Sequence, residues 1–147
     1  MKLSTRARYG TRLLVDLALH YDEQPVLLKD IAQRQEISLP YLQHLITPLV
    51  TGGIVFTARG AKGGVSLSQP PGEIKLDQVI RLLEGPIAPV ECVNNPDMCT
   101  RSSSCVTRDI WCDMKRAIDR VLDFTTLQDL AERQKRKEQS ERVAYFT

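Results

Sequence analysis

A mainly α-helical fold with one small β-hairpin is what the sequence predicts, and three observations carry that expectation. Apolar residues recur at three- and four-residue spacing through most of the first fifty positions. Two short β-branched runs then flank a glycine-rich turn, and the second half holds one wide apolar stripe behind a cluster of cysteines. The chain has 147 residues, 42% of them hydrophobic, enough for the core of one domain or of one compact module with a dimerising arm.

Ser4 or Thr5 can cap a first helix that buries Leu13, Leu14, Leu17, Ala18 and Tyr21, leaves Arg8, Arg12 and Asp16 on another face, and ends near Asp22. A second helix fits positions 27–34, burying Leu28, Ile31 and Ala32. Ser38 is a good N-cap for a third, which would bury Leu42, Leu45, Ile46, Leu49 and Val50 and stop at Gly52-Gly53. Pro48 cannot donate to the His44 carbonyl, so a bend or break is expected near Thr47.

Runs at 54–58 and 65–68 read as strands joined by Arg59-Gly60-Ala61-Lys62-Gly63-Gly64, a hairpin with a basic, glycine-rich tip. Helix, turn, helix and then a basic hairpin is the order of a winged helix-turn-helix. In that fold the third helix enters the major groove and the wing reaches a neighbouring groove or the phosphates. Charge placement agrees. The net charge is only +2, but Lys2, Arg6, Arg8 and Arg12 precede the first acid, Asp16, and no Asp or Glu lies between Glu36 and Glu73. Two acid-free zones suit a polyanion.

Beyond the Pro70-Pro71-Gly72 break, Leu76, Val79, Ile80, Leu82 and Leu83 mark an amphipathic helix ending at Gly85-Pro86. Ile110, Trp111, Met114, Ala117, Ile118, Val121 and Leu122 form a stripe on a long helix over about 107–124. A second copy of the chain is the economical cover for that stripe, with Trp111 and Met114 as dimer-core residues; folding back onto its own core is the alternative. Thr125-Thr126-Leu127-Gln128 resembles a capping box for one more short helix. The almost wholly polar stretch after it is expected to be a mobile tail. The expected divisions are a winged helix-turn-helix domain at 1–84, a cysteine loop at 85–106, a dimerisation helix with a short C-terminal helix at 107–131, and the tail at 132–147.

All four cysteines, Cys92, Cys99, Cys105 and Cys112, fall in one stretch rich in Pro, Asn and Ser. Disulfides, a structural zinc site, an iron–sulfur site and reactive thiols are all open chemistries for such a cluster. No signal-peptide run opens the chain and no segment approaches a membrane span, so a cytoplasmic setting without membrane contact is expected. Metal ligation or redox chemistry is favoured over disulfides there. The intervals are longer than the two to four residues usual within zinc ligand pairs. Arg101 and Arg108 nearby would lower thiol pKa values. No phosphate-cradling or hydrolase motif appears, and the thiols lack a nearby histidine or Cys-X-X-Cys pair, so an enzyme is not expected. His20 reads as structural, and His44 as a DNA contact or a solvent-facing residue.

The chain resembles the Rrf-type bacterial winged-helix transcription regulators, and within them the iron–sulfur cluster-binding, IscR-like members. The residues that carry this are Met-Lys-Leu-Ser-Thr-Arg-Ala-Arg-Tyr-Gly at the start, Asp30-Ile31-Ala32 followed by Ile37-Ser38-Leu39-Pro40-Tyr41-Leu42, the 59–64 wing, and three cysteines before the long helix. The resemblance covers about 1–131. It implies a homodimer with crossing long helices that binds a double-stranded DNA operator, expected to act as a repressor. Binding would respond to an iron–sulfur cluster, or to redox state, iron or nitric oxide. A thiol-switched or zinc-stabilised regulator is the alternative, and a thiol redox enzyme a more distant one.

By matched position the cluster ligands are Cys92, Cys99 and Cys105, for a 2Fe–2S cluster ahead of a 4Fe–4S one. Members of the family supply a fourth ligand from a histidine where this chain has Arg108, or from an N-terminal acid where it has Arg8. Cys112, two turns further on, is the local candidate, and its alternative role is as a small core residue. Lys2, Arg6, Arg8, Arg59 and Lys62 would neutralise phosphates. Ser38, Pro40, Tyr41, Gln43 and His44 would open the recognition helix, with Gln43 able to pair with adenine and Tyr41 set against a phosphate, and Arg59 with Gly60 would meet the minor groove. Members that switch DNA preference carry glutamate at the position of Gln43, so this chain lacks that discriminating carboxylate.

Overall fold

The computed structural model describes every residue except Lys62 and Thr147, and of Phe146 only the backbone. Helix α1 (Thr5–Leu19) begins where Ser4 Oγ accepts the Ala7 amide at 3.1 Å. It ends at Leu19, three residues before the expected point, with His20 as its C-cap, and its buried face includes Asp16 as well as Leu13, Leu14 and Leu17. Tyr21, expected in the core, is exposed in the turn that follows.

Helix α2 (Leu28–Gln35) stops at Glu36, whose φ of 55° is left-handed. Ile31 is its one fully buried side chain; Leu28 and Ala32 are half-buried. Helix α3 (Leu39–Thr51) is capped by Ser38, which accepts the Tyr41 amide at 3.3 Å. Its C-terminus is a Schellman closure: the Gly53 amide donates to the Val50 carbonyl and the Ile54 amide to that of Leu49, both at 3.0 Å, with Gly53 at φ 74°.

The break expected near Thr47 does not occur, and α3 runs unbroken through Pro48. Proline removes only its own donated bond. The carbonyl so deprived belongs to His44, an exposed residue that water can serve, while Leu45 and Leu49 on either side are fully buried and hold the rod to the core. Val50, expected inside, is 40% exposed, and Ile46 is half-buried.

Strands β1 (Val55–Ala58) and β2 (Gly64–Leu67) pair antiparallel, Val55 against Leu67 and Ala58 against Gly64. A third strand contact comes from Val26, whose amide and carbonyl exchange bonds with Val65 at 2.9 and 2.8 Å. Gln24 adds to this join, its Oε1 accepting the Leu67 amide at 2.7 Å. Gly64 sits at φ 150°, and a Cβ there would stand 2.5 Å from the Val26 carbonyl oxygen, so the turn end of the hairpin admits no side chain at this position.

Helix α4 (Leu76–Glu84) buries Val79, Ile80 and Leu83. The expected cysteine loop is partly ordered: it contains the four-residue helix α5 (Glu91–Asn94) and a 3-10 turn at Pro96–Met98. Helix α6 (Val106–Asp123) is joined to α4 by Arg81, which bonds Asp77 at 2.8 Å and approaches Asp119 at 3.9 Å. No residue of α6 is fully buried; Ile110 is 54% exposed and Val121 62%.

The C-terminal part departs most from expectation. Helix α7 (Leu127–Phe146) spans twenty residues, so residues 132–146 continue a helix where a mobile tail was expected. Its cap lies one residue later than the sequence suggested. Asp129 Oδ2 accepts the Thr126 amide at 2.9 Å, and Thr126 Oγ1 accepts the Asp129 amide at 3.1 Å. Thr125 instead donates its hydroxyl to the Val121 carbonyl. Leu127 and Ala131 are buried in the main core. The Leu76 amide bonds Thr125 and the Leu127 amide bonds Ile74, at 2.8 and 3.0 Å, clasping the start of α7 to the segment before α4.

Candidate nucleic-acid interface and cysteine loop

The reading turn opens α3. Ser38 spends its hydroxyl on the cap, Leu39 and Pro40 are exposed, Tyr41 is half-buried, and Gln43 and His44 are exposed. A second element reaches this turn. Tyr9 of α1 meets the Tyr41 ring edge-on, with centroids 5.9 Å apart and planes at 88°. The start of α1 is held in turn by Glu84, whose Oε2 accepts both the amide and the hydroxyl of Ser4. Lys2, Arg6 and Arg8 are all exposed, and Arg8 lies over the Tyr9 ring that meets Tyr41 at the first turn of α3.

Arg59 and Gly60 are exposed at the hairpin tip, Gly60 with φ 98°. Lys62 lies outside the described residues. Two cation-bearing elements, the start of α1 and the wing, together with the polar side chains at the first turn of α3, thus present donors suited to phosphate and base edges.

Sequence reasoning missed the buried group behind this surface. Asp16 is 1% exposed and accepts from Arg34 Nε at 3.0 Å and Nη2 at 2.7 Å, and from Gln35 Nε2 at 2.9 Å. His20 Nδ1 lies 3.4 Å from Oδ1 and 2.8 Å from the Asp16 carbonyl, the structural role expected of it. This cluster bolts α1 to the end of α2 just before the turn into α3. The only local signal was a lone carboxylate in an otherwise basic helix, one turn beyond Leu13.

The cysteines share a region but not a point. Cys92 is half-buried in α5, Cys99 is exposed, Cys105 is the half-buried residue preceding α6, and Cys112 is half-buried on α6; all four are free thiols. Among the described residues no three His, Cys, Asp or Glu side chains stand close enough to hold a metal ion. Seven residues separate Cys105 from Cys112, roughly 10 Å of helical rise, so the two lie two turns apart on nearly the same side.

Cys105 nevertheless has the electrostatics of a ligating or reactive thiol. Its Sγ is 3.1 Å from Thr107 Oγ1, and that bond, followed by the Arg108 amide at the start of α6 and the charge of Arg101, pulls its pKa below the ordinary cysteine value. Arg108, standing where a histidine ligand would be, donates from Nε to the Cys92 carbonyl at 3.2 Å and ties α5 to α6. The donor set therefore fits a soft metal centre chemically, while the positions show no assembled site.

A helix-turn-helix with a basic wing, an acid-free reading turn and no membrane-crossing helix among the described residues defines a DNA-binding transcription regulator. The chain belongs to the Rrf2 family, whose model, described as an iron-dependent transcriptional regulator, matches residues 3–133. It is 47% identical over 130 residues to protein rrf2 of Nitratidesulfovibrio vulgaris, covering 88% of this chain and 87% of that one. Among solved structures it is similar to CymR, described as the global cysteine regulator of B. subtilis, with a TM-score of 0.78 and 40% identity over 90% of this chain and 97% of that one. The IscR of T. potens is similar at a TM-score of 0.73 and 39% identity, covering 90% and 87%. The family model and the CymR structure are both described as regulators.

Proposed function

We propose that this regulator acts as a homodimer on an operator and that its cysteine loop is the sensor. The observation that carries the reading is the position of the loop. Cys92, Cys99 and Cys105 sit between α4, which packs on the DNA-binding core, and α6, whose apolar stripe faces outward and suits a second copy.

Cys92, Cys99 and Cys105 would hold an iron–sulfur cluster, with Cys112 or an outside donor as fourth ligand; a bound cluster would supply redox- and iron-sensitivity. The chain's own residues carry the consequence. Arg108 locks α5 to α6, Arg81 and Asp119 join α6 to α4, and Glu84 at the end of α4 holds Ser4, the cap of α1. A change in loop order therefore bears on α1 and, through it, on the reading turn. Phosphate contacts by Lys2, Arg6, Arg8, Arg59 and Lys62 would supply bulk affinity, and Ser38, Pro40, Tyr41, Gln43, His44 and Gly60 the fit to base edges and groove. The proposed action is repression.

Anaerobic purification followed by an absorption spectrum and iron, sulfide and zinc analysis tests this reading. Colour with acid-labile sulfide is expected, lost in Cys92→Ala, Cys99→Ala or Cys105→Ala. Retention of the same spectrum in Cys112→Ala would remove Cys112 from the site. Equal operator affinity with and without the cluster would sink the coupling. The second reading, a thiol switch, is favoured by the lowered pKa of Cys105 and by the cysteine-regulator relative, and colourless protein whose DNA binding follows thiol oxidation would establish it.

A further inference from the structure

The first turn of α3 is anchored in the core at Ile37 before it and Leu42 after it, with few buried contacts between. Ser38, Leu39 and Pro40 are all exposed, and the first fully buried side chain of α3 is Leu42. Tyr41 alone in that turn is half-buried; the Tyr9 ring of α1 stands edge-on to it, and His44 of α3 itself lies tilted beside it with centroids 6.5 Å apart. Tyr9 is itself clamped: the Arg8 and Arg12 guanidinium carbons lie 5.9 and 5.4 Å from its ring centroid. Arg12 continues inward, donating from Nε to Gln35 Oε1 at 3.3 Å and from Nη2 to the Gln35 carbonyl, while Gln35 Nε2 donates to the buried Asp16. An unbroken line of contacts therefore runs from the polar bolt through Arg12 and Tyr9 to Tyr41.

We infer that Tyr9 is a positioning residue for DNA reading: it fixes Tyr41, and with it the first turn of α3, without itself touching DNA. This rests on the reading of the Ser38–His44 turn as the one that faces the bases. Tyr41 is pinned from one side by a ring whose own orientation is set by two cations. Edge-to-face geometry makes that pin directional, because a tilted partner loses the contact between ring edge and ring face. The aromatic body does the work, so the phenol hydroxyl is dispensable.

The test uses the full chain. An operator is selected from a random duplex pool, and dissociation constants are measured by fluorescence anisotropy for that operator and for a scrambled duplex across a salt series. Tyr9→Leu is expected to weaken operator binding about fivefold, the scale of one aromatic pair. Scrambled-duplex affinity and the salt slope should stay unchanged, and Tyr9→Phe should match the parent on both. Equal losses on operator and scrambled duplex with a shallower salt slope would make Tyr9 a DNA contact and overturn the inference, as would a Tyr9→Phe as weak as Tyr9→Leu, or no loss in Tyr9→Leu. If circular dichroism shows Tyr9→Leu unfolded, Tyr9→Met, which fills the space without a ring, takes its place under the same criteria. Parent protein that selects no operator at all would defeat the reading of the turn itself, an outcome distinct from failure of the Tyr9 role.

Discussion

Replacing Asp16 by alanine should be among the most damaging single changes in the reading head. Its carboxylate is 1% exposed and accepts three side-chain bonds, two from Arg34 and one from Gln35. Removing one partner of a fully buried ion pair costs about 3–5 kcal/mol. Arg34 keeps 38% of its side chain in solvent and can rehydrate, which lowers the expected loss to about 2–3 kcal/mol. For a chain of this size that corresponds to a fall in Tm of about 6–9 °C. Asp16→Asn should lose nearly as much, because its amide nitrogen would face donors in either orientation, Arg34 Nε and Gln35 Nε2 at the Oδ2 position or Arg34 Nη2 at the Oδ1 position.

The assay is thermal unfolding by circular dichroism at one fixed protein concentration, since self-association would otherwise move the midpoint. A double-mutant cycle with Arg34→Ala separates the pair from the cavity left behind, and a coupling of at least about 1 kcal/mol is expected. An Asp16→Asn protein within about 0.5 kcal/mol of the parent, or a cycle with no coupling, would refute the reasoning.

Three further outcomes follow from local geometry. Gly64→Ala should cost about 1–3 kcal/mol by thermal melt, from backbone strain at φ 150° and collision with the Val26 carbonyl, and should loosen the wing; unchanged amide exchange at Val65 would contradict this. The lowered pKa of Cys105 means its thiolate fills at a lower pH than that of an ordinary thiol. Iodoacetamide alkylation of metal-free protein, followed by mass spectrometry against pH, should therefore modify Cys105 ahead of Cys99 near neutrality, with Thr107→Val erasing the lead. The Asp129 carboxyl is held below the usual aspartate range by the Thr126 amide, so its contribution to α7 is present above the ordinary aspartate pKa and is lost as pH falls through the depressed value. Asp129→Asn should flatten that acid limb of the helix signal.

Elements whose signals are local were legible in the chain. Ser4, Ser38 and Gly52-Gly53 carry their caps within three or four residues, and the hairpin announces itself through its turn. The misses were non-local or lacked a period. Asp16 finds its partner eighteen positions away, and Val26 joins the sheet as a single residue, too short for any alternation to show. The stretch 132–142 of α7 is polar all round. It is supported by its reciprocal cap and by pairs such as Gln134 to Glu138, neither of which creates an apolar stripe to detect. Pro48 misled because its lost hydrogen bond was given more weight than the burial of Leu45 and Leu49, which the same reading expected and which holds the helix unbroken through it. In the candidate site the cysteine positions were legible, whereas the main cause of the lowered Cys105 thiol, the Thr107 hydroxyl, was not, and the distances between thiols depend on turns that spacing does not determine. Tyr9 appeared only as one letter of an N-terminal signature; its contact with Tyr41 crosses thirty-two positions of chain.

The clasp between Lys75 and Thr126 gives the chain an architecture of exchange. Everything from α4 through α6 leaves and returns at one spot on the DNA-binding body, like a drawer whose front stays flush with the cabinet. Within that drawer α4 is fixed by Val79, Ile80 and Leu83 in the core, so the part free to vary in length and chemistry, cysteines included, is the loop and α6 beyond it. One reading head can thus be fitted with different detectors without being redesigned for each.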